Sequence, residues 1–472
     1  MKFIFYKEIQ NLIKDSRFYI IITIFFVLSS LSGVIESFYF KGNNEAYKQL
    51  YEEYHKQLKA NSSSLQKIAF MNHLAIKKTF RYTFIVGANA NNFPNYSNVF
   101  LPEIFFRNDH SQSFPKKSLN EHVPIFKFFR LDICFLTEIL LSFLVILLVH
   151  DIFCKEKEEK TMGLIFSNCI PRYKLLLGKI FASFTTISIS FTIGLVLQLL
   201  IIILYNTIPL SSDLLIDYLL FIPISFMYIL LWILIATFVS ILSKQSNIAL
   251  SYLLIIWIAF VFIIPSLGKI FISYKNKLPS SKEISIGFEN IEKNMFDEAM
   301  IHNGGWRGGN IRANAIDNHS YERNFSPIYL KYMDESNEFQ NFIIKNQIDQ
   351  LKYIYNLSSI SPSFLYRRLC ESVYGVGIEN HYRFIEGLIN YRNSLKLIIA
   401  SFDAKDKDSF HFLFLPNYMS NKEVDVSLLP QFNYETYNFP KDFEYLSFFI
   451  LFIEFIIIFL INYIVFLKYD PR

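Results

Sequence analysis

Cysteine is scarce in this chain. Four thiols, Cys134, Cys154, Cys169 and Cys370, are spread over 472 residues. No CxxC pair occurs, and no Cys/His spacing suits zinc, so neither a disulfide framework nor a structural metal is expected. Charge is also thin, at 18% Asp, Glu, Lys and Arg, where a soluble domain carries roughly 25%. The net charge of +5 comes from scattered Lys and Arg. Without a basic stripe interleaved with aromatic platforms, nucleic acid is not an expected partner. Catalytic signatures are missing too. There is no HExxH, and His110, His122 and His381 stand apart from any cluster. The Gly-rich run GGWRGGN at 304–310 is not GxxxxGK[ST] and follows no strand, so it reads as a loop and no phosphate cradle is present. Catalytic, cofactor-binding and metal-binding residues are therefore expected to be absent.

Apolar residues fill the space left by charge. They make up 52% of the chain, with 51 Phe and 29 Tyr. A mean hydropathy of +0.28 fits apolar spans alternating with sizeable water-facing segments. Six runs reach the roughly 20 residues a span needs: Phe18–Phe38, Leu131–Phe153, Ile180–Tyr205, Tyr218–Leu242, Ile248–Leu267 and Leu446–Leu467. Lipid supplies no hydrogen-bond partners, so each is expected to be a helix. The fold expected is an all-α polytopic membrane protein: six transmembrane helices with two largely helical extracytoplasmic insertions. The N-terminal apolar stretch starts late and is long enough to span, so it reads as a retained helix and not as a cleaved signal.

Basic residues orient the chain. Lys2, Lys7, Lys14 and Arg17 precede the first span; Lys155, Lys157, Lys160, Arg172, Lys174 and Lys179 separate the second and third; Lys244 follows the fourth; Lys468 and Arg472 close the chain. The loop NTIPLSSDLLID between the third and fourth has no Lys or Arg. These flanks share one side if both termini are cytoplasmic. Residues 39–130 and 268–445 then lie outside, and among the thiols only Cys370 falls in an outer domain. In the first insertion Tyr47, Leu50, Tyr51, Tyr54 and Leu58 recur at helical spacing, and a second helix is expected over Leu65–Phe80. In the second, helices are expected near 336–357 and 383–399; Phe384, Leu388, Tyr391, Leu395 and Ile398 make a cleaner stripe than one containing Arg392 and Ile399.

Glu138 sits inside the second span and Glu454 inside the sixth. A charge in the bilayer is costly, so both are candidate intramembrane polar sites expected to face protein or water. The stretch 151–179, DIFCKEKEEKTMGLIFSNCIPRYKLLLGK, is short, highly charged and then amphipathic. A rigid element of that kind reaches past the headgroups and can dock on a soluble partner; the plainer reading is a set of topology charges.

That stretch resembles the ABC-2-type transporter permeases, through Glu156, Glu159, Thr161, Gly163, Ser167, Arg172, Gly178 and Lys179, with KTMG in place of the family's usual order. A closer likeness is to a branch with large extracytoplasmic inserts and a C-terminal domain of unassigned function, carried by Ser361, Pro362, Leu365, Gly375, Gly377, Phe384, Tyr391 and Arg392, by LPQF at 429–432 and by the closing FLKYDPR. The resemblance implies a cytoplasmic amphipathic entry helix over 1–17 and a coupling segment over 154–179, in which Glu156, Glu159, Lys160, Thr161, Gly163 and Arg172 meet a nucleotide-binding ATPase subunit. It also implies a second permease chain as homodimer or heterodimer, and a place in the bacterial plasma membrane. No cofactor would bind directly, since ATP is used by the partner. The expected function is the permease subunit of an exporter, with an extracytoplasmic or lipid partner left open. The alternative is a non-transporting anchoring protein of a cell-envelope apparatus.

Overall fold

The computed structural model describes residues 2–77, 84–87, 96–102, 131–167, 171–205, 207, 212–275, 279–302, 319–409, 411, 413–414, 417–435 and 440–469. His110, His122, Cys169 and the 304–310 run lie outside them.

The chain begins with an amphipathic helix, α1 (Lys2–Lys14), whose Phe3 and Tyr6 are exposed. Asp15 breaks it and caps α2 (Ser16–Asn61), accepting a hydrogen bond from Arg17 N at 2.9 Å. Helix α2 contains the first span and continues without a break for 46 residues. At 1.5 Å per residue it is roughly 70 Å long, more than twice a bilayer core, so its second half projects beyond the bundle. The second span, α4 (133–149), carries a π-helical turn at Leu136–Leu141. Two short helices follow, α5 (Cys154–Glu158) and α6 (Met162–Ser167). The remaining spans are α7 (Arg172–Leu204), α8 (Ser212–Leu242), α9 (246–275, π-helical at Ala259–Ile263) and α14 (Tyr445–Lys468). Among the described residues, six helices are thus long and apolar enough to cross a membrane. The protein is an all-α polytopic membrane protein.

The insertions add α3 (Leu65–Phe70), α10 (Ser281–His302), α11 (His319–Ser358), α12 (Pro362–Tyr374) and α13 (Ile378–Lys405). The helix expected over Leu65–Phe80 ends at Phe70. His73–Ile76 (β1) instead pairs antiparallel with Tyr96–Val99 (β2), His73 opposite Val99. The β-branched Ile76 and Val99 suit a strand, and the pairing settles a segment too short for propensity to decide.

Both insertions feed one core beyond the bundle. Leu58, Ile68, Ala75 and Val99 from the first pack with Tyr329, Phe384, Leu395 and Phe414 from the second. Backbone bonds join them as well: Leu65 N to Lys422 O at 2.9 Å and Val424 N to Ser62 O at 2.9 Å. LPQF contributes Leu429, which is buried, and Phe432, whose ring lies 5.5 Å from that of Phe384. The buried stripe of α13 differs from the expected one. Arg392 and Ile399 are buried, while Ile398 only packs at the margin. Arg392 faces inward because α11 offers acceptors: its guanidinium donates to Asn337 Oδ1 and to Gln340 Oε1.

One element of the second insertion belongs elsewhere. Helix α12 joins the core of the bundle, packed against α8, α14 and the π-turns of α4 and α9.

Candidate functional site

Two constellations stand out, one at each end of the bundle. The first is the corner between the second and third spans. Helix α7 begins at Arg172, so the last residues of the expected 154–179 segment are the opening turns of a span. Lys179 is not a surface topology charge but is 3% exposed. Its Nζ donates to Ile152 O at 2.8 Å and pairs with Glu156 at 2.7 Å and Glu8 of α1 at 3.5 Å. Burial raises the Glu8 carboxyl above its ordinary range, against the pull of Lys179.

The neighbouring charges are equally committed. Lys157 Nζ donates to the carbonyls of Ser240 (3.1 Å), Ile241 and Ser243 (2.9 Å), the free acceptors at the end of α8. Glu158 accepts from Ser246 N at 2.6 Å, at the start of α9. Asp151 takes Arg17 of α2 at 2.6 Å. Arg172 donates to the carbonyls of Leu467 and Tyr469 at the end of α14. The corner therefore holds the end of every span through a charged side chain. Lys160, at φ 55°, makes the left-handed turn between α5 and α6, which the Thr161 N to Glu156 O bond of 2.9 Å closes.

The six expected coupling residues divide accordingly. Glu156 and Arg172 are turned to other helices, and Thr161 is half-buried with its hydroxyl on Glu156 O. Glu159, Lys160 and Gly163 are exposed, together with Leu164 at 67% and Ser167. Gly163 has open space around it. Sequence reasoning missed Lys157, Glu158 and Lys179 as structural ties, because a lysine that caps a helix end is spelled no differently from one that marks topology.

The second constellation is the seat of α12, where Glu138 meets Arg367. The carboxylate is 3% exposed and takes Arg367 Nε at 2.6 Å. Hydroxyls surround the pair. Tyr228 OH donates to Glu138 O (2.8 Å) and meets Ser363 Oγ (2.8 Å); Tyr366 OH meets Ser225 Oγ (2.9 Å); the rings of Tyr228 and Tyr366 stack at 4.4 Å. A π-turn widens the helix and leaves carbonyls in need of outside donors. Glu138 O finds Tyr228, and Phe260 O in the other π-turn finds Ser361 Oγ. Ser361 serves twice, since its Oγ also caps α12 by accepting from Phe364 N at 3.2 Å. Gly375, at φ 61°, ends α12 in the left-handed conformation that favours glycine. The SP-x-x-L…G-x-G pattern thus describes a helix cut to length and set into the bundle. Glu454 lies apart, on the inner face of α14 between Leu451 and Asn462. Its Oε2 is buried and has no hydrogen-bond partner among the described residues.

The described residues thus form a six-span helical bundle with a charged corner that grips every span at one end and a folded insertion at the other. No curated protein matches the chain in sequence. A family model does: the chain belongs to the ABC-2 family transporter proteins, with residues 3–470 matched. It is a permease-type subunit of an ABC transporter, and that family's partnership with an ATPase subunit applies to it.

Proposed function

We propose that this chain is the membrane subunit of an exporter driven by a separate ATPase. Both termini and the 150–171 corner face the cytoplasm, the two insertions face outward, and a second permease chain completes the pathway in the bacterial plasma membrane. The sequence contains no phosphate-binding loop, so hydrolysis belongs to the partner. The observation that carries this reading is the corner. Its inward charges tie it to all six spans, and its tip presents Glu159, Lys160, Gly163 and Ser167 at the surface. A push on such a tip reaches every helix at once. Charges of both signs at the tip favour correct docking more than raw affinity. Glu159 is the acidic contact in this scheme, and Glu156 supports it from behind.

The test is Glu159→Lys, with a cysteine placed at Lys160 for crosslinking. The variant is expected to insert and fold normally, to lose about tenfold in ATPase recruitment, and to crosslink to the ATPase from position 160 in the parent background. Normal recruitment together with no crosslink from the tip sinks the docking assignment. Orientation is checked separately: cysteines at Asn61 and Asn356 are expected to react with an impermeant reagent on intact cells, and labelling only after lysis reverses the topology.

A further inference from the structure

Where α12 hands over to α13, the turn Gly375-Val376-Gly377 borders a cavity of about 80 Å³. Four carboxylates line it: Glu371 on α12, Glu379 on α13, and Asp442 and Glu444, which directly precede the sixth span. Two of them are matched. Arg383 holds Asp442 through bonds of 2.9 and 2.5 Å, and Arg368 holds Glu444 at 2.7 Å. The remaining cation of α12, Arg367, is taken by Glu138. Four carboxylates against two guanidiniums leave the cavity a surplus of two negative charges. A further acceptor is built into the wall. Asn380 is 5% exposed, and its Oδ1 has no hydrogen-bond partner among the described residues. A buried acceptor left unpaired is costly, and a donor from outside the chain accounts for it. Gly377 shows how the space is kept. Its φ of −75° and ψ of −177° are extended backbone that any residue adopts, so the chain path does not call for glycine. A Cβ there would come 3.1 Å from Glu379 Oε2 and 3.7 Å from Glu371 Oε2. Both oxygens therefore flank one point, and the missing side chain leaves the gap between them open. Glu379 is exposed at the mouth, while Glu371 is buried behind it.

From this arrangement we infer that the turn between α12 and α13 forms a binding site for a primary ammonium group. Such a group carries one positive charge and three N–H donors on a compact head. The cavity answers both features, with surplus negative charge and with acceptors from Glu371, Glu379 and Asn380. No three acidic, His or Cys side chains among the described residues converge as a metal ion would require. A quaternary ammonium has no N–H for the Asn380 carbonyl to accept. Glu444 adjoins Tyr445, which is exposed at the start of the sixth span. Aromatic residues at the end of a span meet lipid headgroups, so the amine of a lipid headgroup and a soluble amine both have access. A bound ammonium joins α12 to α13 through their own side chains and so stiffens the junction between bundle and insertion. The site requires no assumption about the ATPase or the direction of transport.

The test compares primary with quaternary amines on the intact chain in mild detergent. In one arm, native mass spectrometry is run with equal amounts of phosphatidylethanolamine and phosphatidylcholine of the same acyl chains. In the other, amide hydrogen exchange over 371–384 is followed with ethylammonium chloride or tetramethylammonium chloride at equal concentration. The primary amine is expected to be favoured about tenfold in at least one arm. Gly377→Ala, which puts a methyl group into the gap, and Glu379→Gln, at the exposed mouth, are each expected to abolish that preference at an unchanged unfolding temperature. A preference among the lipids alone assigns the site to a headgroup amine. Slower exchange with ethylammonium alone assigns it to a soluble amine, and both together show that the ammonium is recognised from either source. Equal behaviour of primary and quaternary amines in both arms overturns the inference, as does a preference that survives in both variants. If Gly377→Ala does not fold, Glu379→Gln decides by itself.

Discussion

The two ends of the bundle bury charge in opposite ways. At the corner, cations and anions are set on helix ends: Lys157 on the last carbonyls of α8, Glu158 on the first amide of α9, Arg172 on the last carbonyls of α14. Each partner is part of the backbone of a long helix, so the contact cannot be exchanged without moving that helix. At the α12 seat the charges meet side-chain carboxylates, Arg367 on Glu138 and Arg368 on Glu444, among hydroxyls that bond both one another and backbone carbonyls. These contacts can be remade to water or to one another, and the two π-turns facing them are departures from regular helix of the kind that gather at working sites. The contrast teaches that rigidity here is a matter of what the charge is fastened to, and not of how many polar contacts a region makes. A transporter needs one end that transmits and another that yields, and in our reading the corner and the seat fill those roles.

The largest effect that tests the contrast is expected at Lys179. Lys179→Met leaves the half-buried Glu156 and Glu8 without their cation, a loss of about 2–3 kcal/mol once partial solvent screening is allowed for. The expected outcome is poor recovery of monodisperse protein and a much lower unfolding temperature in detergent. Adding Glu156→Gln and Glu8→Gln to the same chain removes the stranded charges and restores most of the yield. A single variant that is as stable as the parent would show that the corner is not a structural hub.

A second difference is chemical. The insertion core buries His73 completely, its Nε2 3.0 Å from Ile68 O and its Nδ1 3.5 Å from Tyr54 OH. Burial disfavours the imidazolium and brings its pKa down from 6.5 to about 4. The unfolded state therefore takes up the proton first. Stability conferred by neutral His73 is complete above about pH 6.5 and is lost as pH falls from there toward 4. By pH 5 the loss is about 2 kcal/mol, at 1.36 kcal/mol per pH unit. The insertion core is expected to open on acidification before the bundle does, seen as faster hydrogen exchange over α13 than over α7 at pH 5. His73→Gln should flatten that dependence. An unchanged acid profile in the variant would move the effect to another group.

Much of this architecture is legible in the sequence, and the reason is physical. A span must be long, apolar and helical whatever its neighbours do, so six runs announce themselves, and their basic flanks do gather at one end of the bundle. What stays hidden depends on a partner far along the chain. Helix α12 carries Arg367, Arg368 and Glu371 and has no apolar run, so it reads as part of a water-facing domain. It enters the bundle because Leu365, Tyr366, Leu369 and Val373 pack into the core there and Glu138, in another span, supplies a counter-charge. Arg392 fails as a core residue on any periodicity scale until Asn337 and Gln340 are placed opposite it. Lys179 looks like one more topology charge until Glu8 and Glu156 close on it. In each case the residue type was visible and the pairing was not.

The smallest effect is the one that separates an exchangeable seat from a fixed one. Glu138 is almost wholly buried, yet Arg367 keeps 36% of its side chain exposed. Water at the arginine screens the pair, so severing it costs less than the burial of the carboxylate alone suggests, about 1–2 kcal/mol. Arg367→Gln keeps a donor at the same reach and leaves Glu138 able to take a hydrogen bond from it. Glu138→Gln removes the charge and keeps the shape, and both chains are expected to fold. The backbone contact of Tyr228 with Glu138 O is untouched by either change. The seat should nonetheless loosen: hydrogen exchange over 362–374 is expected to rise about tenfold in each variant, about the ratio that 1.4 kcal/mol corresponds to. The double variant, with a neutral pair, should lie closer to the parent than the sum of the two singles, because no charge is left stranded. Exchange over α5 and α7 should not change, since the corner is fastened to backbone and does not depend on the seat. If α12 exchange stays at the parent rate in both single variants, hydroxyls and packing alone hold the helix and the ion pair is incidental. If instead the corner loosens along with α12, the two ends form one cooperative unit and the division drawn between them fails.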